Sequence, residues 1–337
     1  MSILYSVSLY SLQEDYLTGK RNLESCISAV TNEIGAPGIE LLLYQMPLPG
    51  FWENDGEISD ADLALWKGWL DKYKAVPTAY DADVFTTMYS NRYLTDKENL
   101  KMAMKDIRAA ARLGFTVYRT GIFREADLKI YEACLPLAEE LGIQLGTEIH
   151  TPRGIHTWYT QKWLEVILRT GSKAAGFVPD FAIFTTGMTT SARNLYLRKG
   201  AKESIIDMID KAHRAKAPLS EEDIKKMGGG EIELGASNKL RNSIYDDPEW
   251  LKEVLPYTKH IHGKFYEMNK DCVDPSIDYE NAVKVLVESK WEGSISSEYE
   301  GQRDYFDQGC NIYMDPVEQC RRHHTMIKNY VKKARMT

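Results

Sequence analysis

The segment SISSEYEG, Ser294 to Gly301, is the last of eight strand-like segments in a chain of 337 residues, and it contains two glutamates. Glu298 and Glu300 either belong to a solvent-exposed acidic turn or end a buried strand that holds a carboxylate for chemistry. A glutamate in isolation favours the first interpretation, because acidic side chains are mostly exposed or paired. The choice therefore depends on whether neighbouring strands end in comparable side chains.

The eight segments alternate with helical stretches along the whole chain. They are ILYSVSL near Ile3, GIELLLYQ near Glu40, VPTAYDA near Thr78, FTVYRTGI near Val117, IQLGTEIH ending at His150, AGFVPDFAIF around Asp180, TKHIHGKF around His262 and GSISSEYE around Glu298. Such alternation predicts an α/β fold, a (β/α)8 TIM barrel built on a parallel sheet. An open, doubly wound sheet is the alternative, although no G-x-G-x-x-G motif follows the first strand.

Residues of about 185–250 lie between the sixth and seventh strands, which is far more chain than one crossover helix requires. KESIIDMIDKAHRAK predicts a helix and KMGGGEIELG predicts a glycine-rich turn. We therefore expect a helical insertion that caps the mouth of the barrel, within a single domain that spans residues 1–337.

Composition excludes several classes of function. The chain is 43% hydrophobic and 27% charged, its formal net charge is −7, and it has no dense cluster of lysine and arginine, which argues against nucleic-acid binding. No segment approaches the roughly 18 apolar residues of a membrane span, and the start, MSILYSVSLYSLQ, does not resemble a signal peptide. The five cysteines lack C-x-x-C spacing, so we expect neither a disulfide framework nor a thiolate zinc site. We expect a cytoplasmic protein.

Polar residues end the last four predicted strands. Glu148 and His150 lie two positions apart, so they share one side of strand five, and Asp180 ends strand six. The active sites of TIM barrels lie where the strands end. We therefore expect these side chains to face a common site.

Strands seven and eight complete this set. His260, His262 and Lys264 alternate along strand seven, and Glu298 ends strand eight. Four successive strands thus offer Glu148, Asp180, His262 and Glu298 at comparable heights. Buried carboxylates without a counter-charge are costly, so we expect one divalent cation to be bound by these four residues. This ligand set favours Mn²⁺ first, then Mg²⁺, with Zn²⁺, Co²⁺ or Fe²⁺ as the alternatives.

The remaining histidines receive no functional assignment. His323 and His324, in CRRHHTM on the last predicted helix, are interpreted as part of a solvent-exposed helix face. His156 and His213 have no partner that the sequence identifies.

The segments TEIHTP, FVPDFAIF, HIHGKF and SEYEG occur in an order that resembles the xylose-isomerase-like barrel superfamily of sugar isomerases and epimerases. The chain is more closely similar to the α subunits of C-glycoside deglycosidases, which share the E-x-H pair, the P-D-x-x-I-F run and the S-E-Y-E-G-x-R end. The resemblance covers essentially the whole chain. It implies a single divalent metal ion held by Glu148, Asp180, His262 and Glu298, and an assembly with a small β subunit in a hetero-oligomer.

The resemblance also implies a reaction. The substrate would be a 3-oxo-glycoside, from which a base removes the C2 proton before the aglycone leaves C1 by β-elimination through a metal-stabilised enediolate. His150 is our candidate base, because an imidazole transfers protons near neutral pH. His260, Lys264 and Tyr299 remain unranked candidates for assisting the leaving group. Tyr299, Glu300 and Arg303 are candidates for contacts with substrate, although Glu300 and Arg303 alternatively pair with each other.

Two alternative functions remain open. A sugar or sugar-phosphate isomerase or epimerase would use the same metal site, but many epimerases have a histidine three residues after the strand-six aspartate, where this chain has Ile183. A DNA-repair endonuclease of this superfamily would need more histidine ligands than a chain with seven histidines offers. A non-catalytic sugar-binding subunit is the alternative of another class.

The loop MPLPGFWENDG, with Pro47, Phe51 and Trp52, either stacks on substrate or docks the β subunit.

Overall fold

Eight parallel strands form a barrel in this computed structural model, which describes residues 2–82, 90–243, 245–305, 310 and 312–336. The strands are β1 (Ile3–Ser8), β2 (Gly38–Leu41), β3 (Val76–Asp81), β4 (Val117–Thr120), β5 (Gln144–Ile149), β6 (Ala175–Pro179), β7 (His260–Phe265) and β8 (Gly293–Tyr299). Their order in the sheet is β6-β5-β4-β3-β2-β1-β8-β7. Two isolated parallel bridges, Phe177 with Thr258 and Asp180 with His262, join β6 to β7 and close the ring. The predicted TIM barrel is confirmed, and the open sheet is excluded.

Helices surround the barrel and connect its strands. They are α1 (Gln13–Leu17), α2 (Leu23–Ser28), α3 (Asp60–Tyr73), α4 (Asp96–Arg112), α5 (Glu125–Leu141), α6 (Trp158–Thr170), α7 (Thr190–Arg198), α8 (Glu203–Arg214), α9 (Glu221–Lys226), α10 (Glu231–Arg241), α11 (Leu251–Val254), α12 (Tyr279–Glu288) and α13 (Pro316–Ala334). Within the described part of the chain, no helix is both long and apolar enough to cross a bilayer. The five cysteines are free.

Local sequence signals set several helix boundaries. Thr95 and Glu98 form a reciprocal capping box at the start of α4, so two N–H groups of the first turn gain acceptors. Gly142 ends α5 in the left-handed conformation, with φ of 70°. Asp315 accepts a hydrogen bond from the backbone of Val317 at the start of α13.

The strands alternate between a polar interior and an apolar outer wall. Inside the barrel, the hydroxyls of Ser6 and Thr78 lie 2.8 Å apart, and Ser296 donates to Ser6 at 2.9 Å. Val7 and Ile295 point the other way and are fully buried under the helices. A barrel interior lined by hydroxyls satisfies its own polar groups and leaves room for charged side chains above them.

The insertion folds around its own small apolar cluster. Its helices are α7 to α10, and its buried apolar residues are Met188, Ala192, Ile205, Ile206, Ile209, Ile224, Ala236 and Leu240. The predicted turn KMGGGEIELG is only half correct, because α10 begins at Glu231, directly after the glycines. The insertion is tied to the segment after β8, where Ser191 donates to Asp304 at 2.6 Å. The assignment of residues 1–337 to a single domain stays a prediction.

His323 and His324 are buried, so the prediction of a solvent-exposed face is wrong. Their side chains are 0% and 2% exposed. His323 bridges Ser297 and Tyr279, with both ring nitrogens 2.7 Å from a hydroxyl, and its ring stacks on Phe265 at 4.3 Å. Burial lowers the pKa of both imidazoles, which keeps them neutral. These two histidines therefore belong to the seam between α13 and the barrel.

Replacing His323 with alanine should destabilise the fold by about 3 kcal/mol, because it removes two hydrogen bonds and leaves a cavity beside Phe265. Urea unfolding measures the change. His156→Ala is the matched control, since His156 is exposed and contacts Glu253 and Trp250 at the surface; we expect a change within about 0.5 kcal/mol. Equal effects of the two substitutions would show that the His323 contacts are not structural.

Candidate active site

A cavity of about 440 Å³ opens at the carboxyl ends of the strands. Its lining residues come from β1 through β5, β7 and β8 and the loops that follow them. They are Tyr10, Leu42, Tyr44, Gln45, Asp81, Ala82, Arg119, Phe123, Glu148, His150, Arg153, Lys264, Glu298 and Glu300. Among the residues that the structure describes, none from the insertion lines this cavity. The insertion packs on the segment after β8 and, together with Thr151 and Tyr266, lines a separate cavity, so the expectation that it caps the mouth stays a prediction.

Glu148, Asp180, His262 and Glu298 meet at the bottom of the cavity. One potential ligand atom of each lies within 4.8 Å of those of the other three. His262 directs Nδ1 at this cluster, 2.7 Å from Oε1 of Glu148 and 2.9 Å from Oε2 of Glu298. The barrel closure aligns them, since Asp180 pairs with His262 across the seam between β6 and β7. The four predicted side chains are thus brought together.

The chemistry of this cluster fits a divalent cation. Oδ2 of Asp180 is buried without a hydrogen-bond partner, whereas its Oδ1 accepts from the backbone of Ala182 at 2.7 Å. A buried carboxylate oxygen without a donor is costly unless a cation occupies its lone pair. Burial raises the pKa of Asp180 to about 6, although the Lys264 ammonium lowers it, so the charged form of this carboxylate lacks the solvation it would have in water.

Glu40 holds His262 from the opposite side. This carboxylate is fully buried inside the barrel; its Oε1 lies 2.9 Å from Nε2 of His262 and its Oε2 lies 2.7 Å from Nε2 of His260. Burial opposes protonation of His262, but Glu40 and Glu298 raise the pKa of His262 well above its usual value. A proton on Nε2 facing Glu40 leaves Nδ1 as the atom available to a metal.

Lys264 supplies a fixed positive charge beside the cluster. Its ammonium donates to Oε2 of Glu300 at 2.6 Å and lies 3.1 Å from Glu298 and 3.5 Å from Asp180. Although burial opposes it, these carboxylates raise the pKa of Lys264 well above its usual value. Glu300 is also held by Tyr10, whose hydroxyl donates to Oε1 at 3.2 Å. Lys264 is therefore a charged hydrogen-bond donor.

Arg119 and Asp81 complete the charged floor on the side of β3 and β4. Arg119 lies 3.6 Å from both Asp81 and Glu148. Burial raises the pKa of Asp81 well above its usual range despite this guanidinium. Arg119, Asp81 and Glu40 were absent from the candidates drawn from the sequence. The sequence did contain a signal for them, because each is a charged residue within or at the end of a predicted strand. The same criterion identified the candidate site residues on strands five to eight.

The other predicted site residues occupy different depths. His150 lines the cavity, and its Nε2 lies 3.7 Å from Oδ2 of Asp180. His260 is buried below the floor, between Glu40 and Ser294, so it does not reach a substrate in the cavity. Tyr299 points out of the barrel, where its ring stacks on Phe265 at 5.3 Å. Direct contact of His260 or Tyr299 with substrate is therefore not supported.

Arg303 lies at the rim. It does not pair directly with Glu300: the Tyr10 hydroxyl accepts from Nε of Arg303 at 3.1 Å and donates to Glu300. Gly301 fixes the backbone here, because a Cβ at this position would lie 1.5 Å from the carbonyl oxygen of Tyr266. This steric limit explains the glycine that ends the SEYEG segment.

Two further sequence features can be placed relative to the cluster. Ile183, at the position where many epimerases have a histidine, is fully buried in the core. In the aromatic loop, Phe51 is buried and Trp52 is 58% exposed; both rings pack on Tyr44, which lines the cavity. The loop thus buttresses the cavity through Tyr44, and Trp52 faces solvent.

Comparison with known sequences shows similarity along nearly the whole chain, although no family model matches it. A C-glycoside deglycosidase alpha subunit from Arthrobacter globiformis is 26% identical over 337 residues, covering 97% of this chain and 92% of the relative. A 3'-dehydrocarminate deglycosidase alpha subunit from Microbacterium sp is 26% identical, covering 96% and 93%. The predicted resemblance to C-glycoside deglycosidase alpha subunits is confirmed.

Solved structures share the fold. A sugar phosphate isomerase/epimerase from Parabacteroides distasonis superposes with a TM-score of 0.54 at 13% identity, covering 98% of this chain and 96% of that chain. The IOLI protein, solved with a zinc atom, gives 0.55 at 12% identity, covering 98% and 99%. The prediction of an enzyme is also confirmed, because the relatives are named deglycosidases and structural neighbours are named epimerases.

Mn²⁺ should raise the unfolding temperature of metal-stripped protein, because a cation that binds only the folded state at 100 times Kd adds about 2.7 kcal/mol. Glu148→Gln should abolish most of the gain, and Glu132→Gln, on the surface of α5, should retain it. The gain should shrink below about pH 6, where a proton on Asp180 competes with the cation. Calorimetric scans with and without Mn²⁺ test this. An undiminished gain in Glu148→Gln would contradict it.

Glu40→Gln should lower the affinity for Mn²⁺ about 10- to 100-fold, since an amide cannot hold the Nε2 proton of His262 as a carboxylate does. Equilibrium dialysis followed by metal analysis measures the affinity directly. Glu233→Gln is the control, because Glu233 is equally buried but lies in the insertion. Unchanged affinity in Glu40→Gln would mean that Glu40 does not orient His262.

Proposed function

We propose that the chain is a divalent-metal-dependent lyase that cleaves the C-glycosidic bond of a 3-oxo-glycoside by removing the C2 proton and expelling the aglycone. The observation that carries this proposal is the cluster of Glu148, Asp180, His262 and Glu298 beneath a cavity that His150 lines. Full-length similarity to deglycosidase alpha subunits supports the choice of reaction.

In this proposal the four clustered side chains hold the metal ion, and Mn²⁺ is the ion that we favour for a site rich in carboxylates. When bound, the ion supplies a Lewis acid that polarises the oxygens on C2 and C3 of the sugar. Glu40 keeps Nδ1 of His262 directed at the ion. The protein supplies the remaining proton transfers.

His150 is the proposed base. Its Nε2 lies 3.7 Å from Oδ2 of Asp180, an atom of the proposed metal cluster, so it faces the position where the reacting sugar carbons would lie. Its side chain is 29% exposed, which allows the proton to reach solvent between turnovers. A sugar carbon acidified by the adjacent ketone needs a base with a proton affinity near that of imidazole.

The proposed elimination balances without another reagent. The C2 hydrogen passes to His150 as a proton, and its electron pair enters the enediolate of C2 and C3. That pair then forms the C1–C2 double bond as the bond from C1 to the aglycone breaks. The departing carbon takes up a proton from solvent, which replaces the one that His150 releases, so the products are an unsaturated 3-oxo sugar and the protonated aglycone.

Lys264 and Glu300 are proposed to bind sugar hydroxyls. The Lys264 ammonium is already ordered by carboxylates, so its donor directions are fixed before substrate enters. Its raised pKa makes it a binding group and disfavours it as a base. Arg303 donates a hydrogen bond to the Tyr10 hydroxyl, which in turn holds Glu300. His260 contacts Glu40 below the floor of the cavity, with Nε2 2.7 Å from Oε2.

A sugar isomerase or epimerase is the second candidate, because several structural neighbours are named as such enzymes. It would use the same cluster but return the proton to carbon. A non-catalytic sugar-binding subunit is the third candidate. Metal binding without turnover of a 3-oxo-glycoside or of a keto-sugar would favour it.

We further propose that the chain works with a small β subunit, since its relatives are named alpha subunits. The exposed ring of Trp52 on the loop beside the cavity is a surface suited to such docking. Free cysteines, three of them buried, agree with the proposed cytoplasmic location.

His150→Gln should reduce kcat for aglycone release from a 3-oxo-C-glucoside about 10²- to 10⁴-fold, because the C2 proton loses its acceptor. Mn²⁺ content should stay unchanged, since the cluster is intact. Chromatographic detection of the aglycone, with and without a co-purified small partner, measures the rate. His156→Gln, an exposed histidine, should retain full activity.

Three results would redirect the proposal. Full activity in His150→Gln would remove its assigned role. Proton exchange at C2 without aglycone release would favour the epimerase. No bound metal in the active wild type would refute the metal site.

A further inference from the structure

Arg153 forms part of the cavity wall away from the metal cluster. It follows β5, and its guanidinium carbon lies 4.4 Å from the ring centroid of Phe123 and 5.8 Å from that of Tyr159. Nη1 donates to the carbonyl of Ile122 at 2.9 Å, which holds the planar group in place. Both Arg153 and Phe123 line the cavity. This pair is therefore an ordered, flat, cationic surface that a ligand can reach.

The guanidinium has hydrogen-bonding capacity that the protein leaves unused. Nε of Arg153 is buried without a hydrogen-bond partner, and no carboxylate among the described residues forms an ion pair with this side chain. By contrast, Arg119 in the same cavity lies 3.6 Å from two carboxylates. Leaving a buried guanidinium N–H unpaired is costly, and the natural partner of a planar fork is an anionic oxygen.

The chemistry around Arg153 favours an aryl ring as the carrier of that oxygen. Phe123 is 48% exposed and gives this part of the cavity an aromatic surface. A hydroxylated sugar ring gains little from such a surface, whereas a flat aryl group stacks on it. The sugar is accounted for at the other end, beside Lys264 and Glu300.

Charge fixes the direction in which such a substrate enters. At the floor, Arg119 and Lys264 already face carboxylates and the proposed metal ion would be shared among its ligands, so an anionic oxygen of the aglycone gains less there than beside Arg153. An anionic oxygen at Arg153 lies instead beside a cation with no carboxylate partner in the described chain. We infer that Arg153, stacked on Phe123, recognises an anionic oxygen, an ionised phenol or a carboxylate, on the aryl aglycone; this inference rests on the proposed function.

The test compares two 3-oxo-glucosides whose aryl aglycones differ only in a carboxylate or the matching carboxamide. In Arg153→Gln, kcat/KM for the carboxylate should fall about 10- to 100-fold and that for the carboxamide less than about threefold. Arg153→Lys keeps the positive charge but lacks the planar guanidinium, so its kcat/KM for the carboxylate should lie between those of the wild type and Arg153→Gln. Arg169→Gln, on the surface of α6 beside Glu132, should change neither value. Equal losses for both substrates, or no loss, would overturn the inference.

A second arm needs no turnover, so it separates this inference from the proposed reaction. Binding of free 2-naphthoate to the wild type, measured calorimetrically, should weaken about 10- to 100-fold in Arg153→Gln, while 2-naphthamide should bind both equally. Binding of free 2-naphthol, measured across the pH range in which it ionises, tests recognition of a phenolate. If Arg153 recognises the phenolate, 2-naphthol should bind the wild type more tightly as the pH rises, and Arg153→Gln should not show this change. Equal binding of 2-naphthoate to both proteins would overturn the inference even if the lyase reaction is found.

Discussion

A single imidazole, that of His262, connects the polar interior of the barrel to the cavity. Its Nε2 faces Glu40 inside the barrel, and its Nδ1 faces Glu148 and Glu298 at the floor. An imidazole with one proton can present a lone pair on only one side, so the position of Glu40 decides which nitrogen is available to a cation. The geometry of the candidate metal cluster therefore depends on a carboxylate that no substrate touches.

Excess negative charge is the second constraint on this site. Carboxylates of Glu40, Asp81, Glu148, Asp180, Glu298 and Glu300 lie together, and only Arg119 and Lys264 bring fixed positive charge to them in the described chain. Burial raises the pKa values of Asp81 and Asp180, although Arg119 and Lys264 lower them. A divalent cation would lower the repulsion at once, which is why the four-residue cluster is better explained as a binding site than as a structural network.

The last four strands could be predicted together with their site residues because one rule applies to each: alternate residues share a face, and parallel strands end on the same side. The same rule applied to β2, β3 and β4 identifies Glu40, Asp81 and Arg119, of which Glu40 lies within the otherwise apolar segment GIELLL. His323 and His324 were misjudged because polarity was weighed before periodicity. Val317, Cys320, His324, Ile327 and Val331 share one face of α13, which is buried.

The position of the insertion could not be predicted from sequence. Its helices have readable boundaries, but the side on which they pack depends on long-range contacts such as that between Ser191 and Asp304. A chain excursion of this length is compatible with a lid or with a flank, and only tertiary packing decides between them.

Two side chains at the floor, the proposed base His150 and the charged donor Lys264, support the proposed elimination over epimerisation. His150 and Lys264 both lie near Oδ2 of Asp180, at 3.7 Å and 3.5 Å. Epimerisation needs one group to remove a proton from carbon and another to return it from the opposite face, so both must change protonation near neutral pH. Lys264 is fixed as an ammonium by Glu298 and Glu300 and does not meet that requirement. Elimination needs only one base at C2, and a permanently charged donor beside it orients the sugar without competing for the proton.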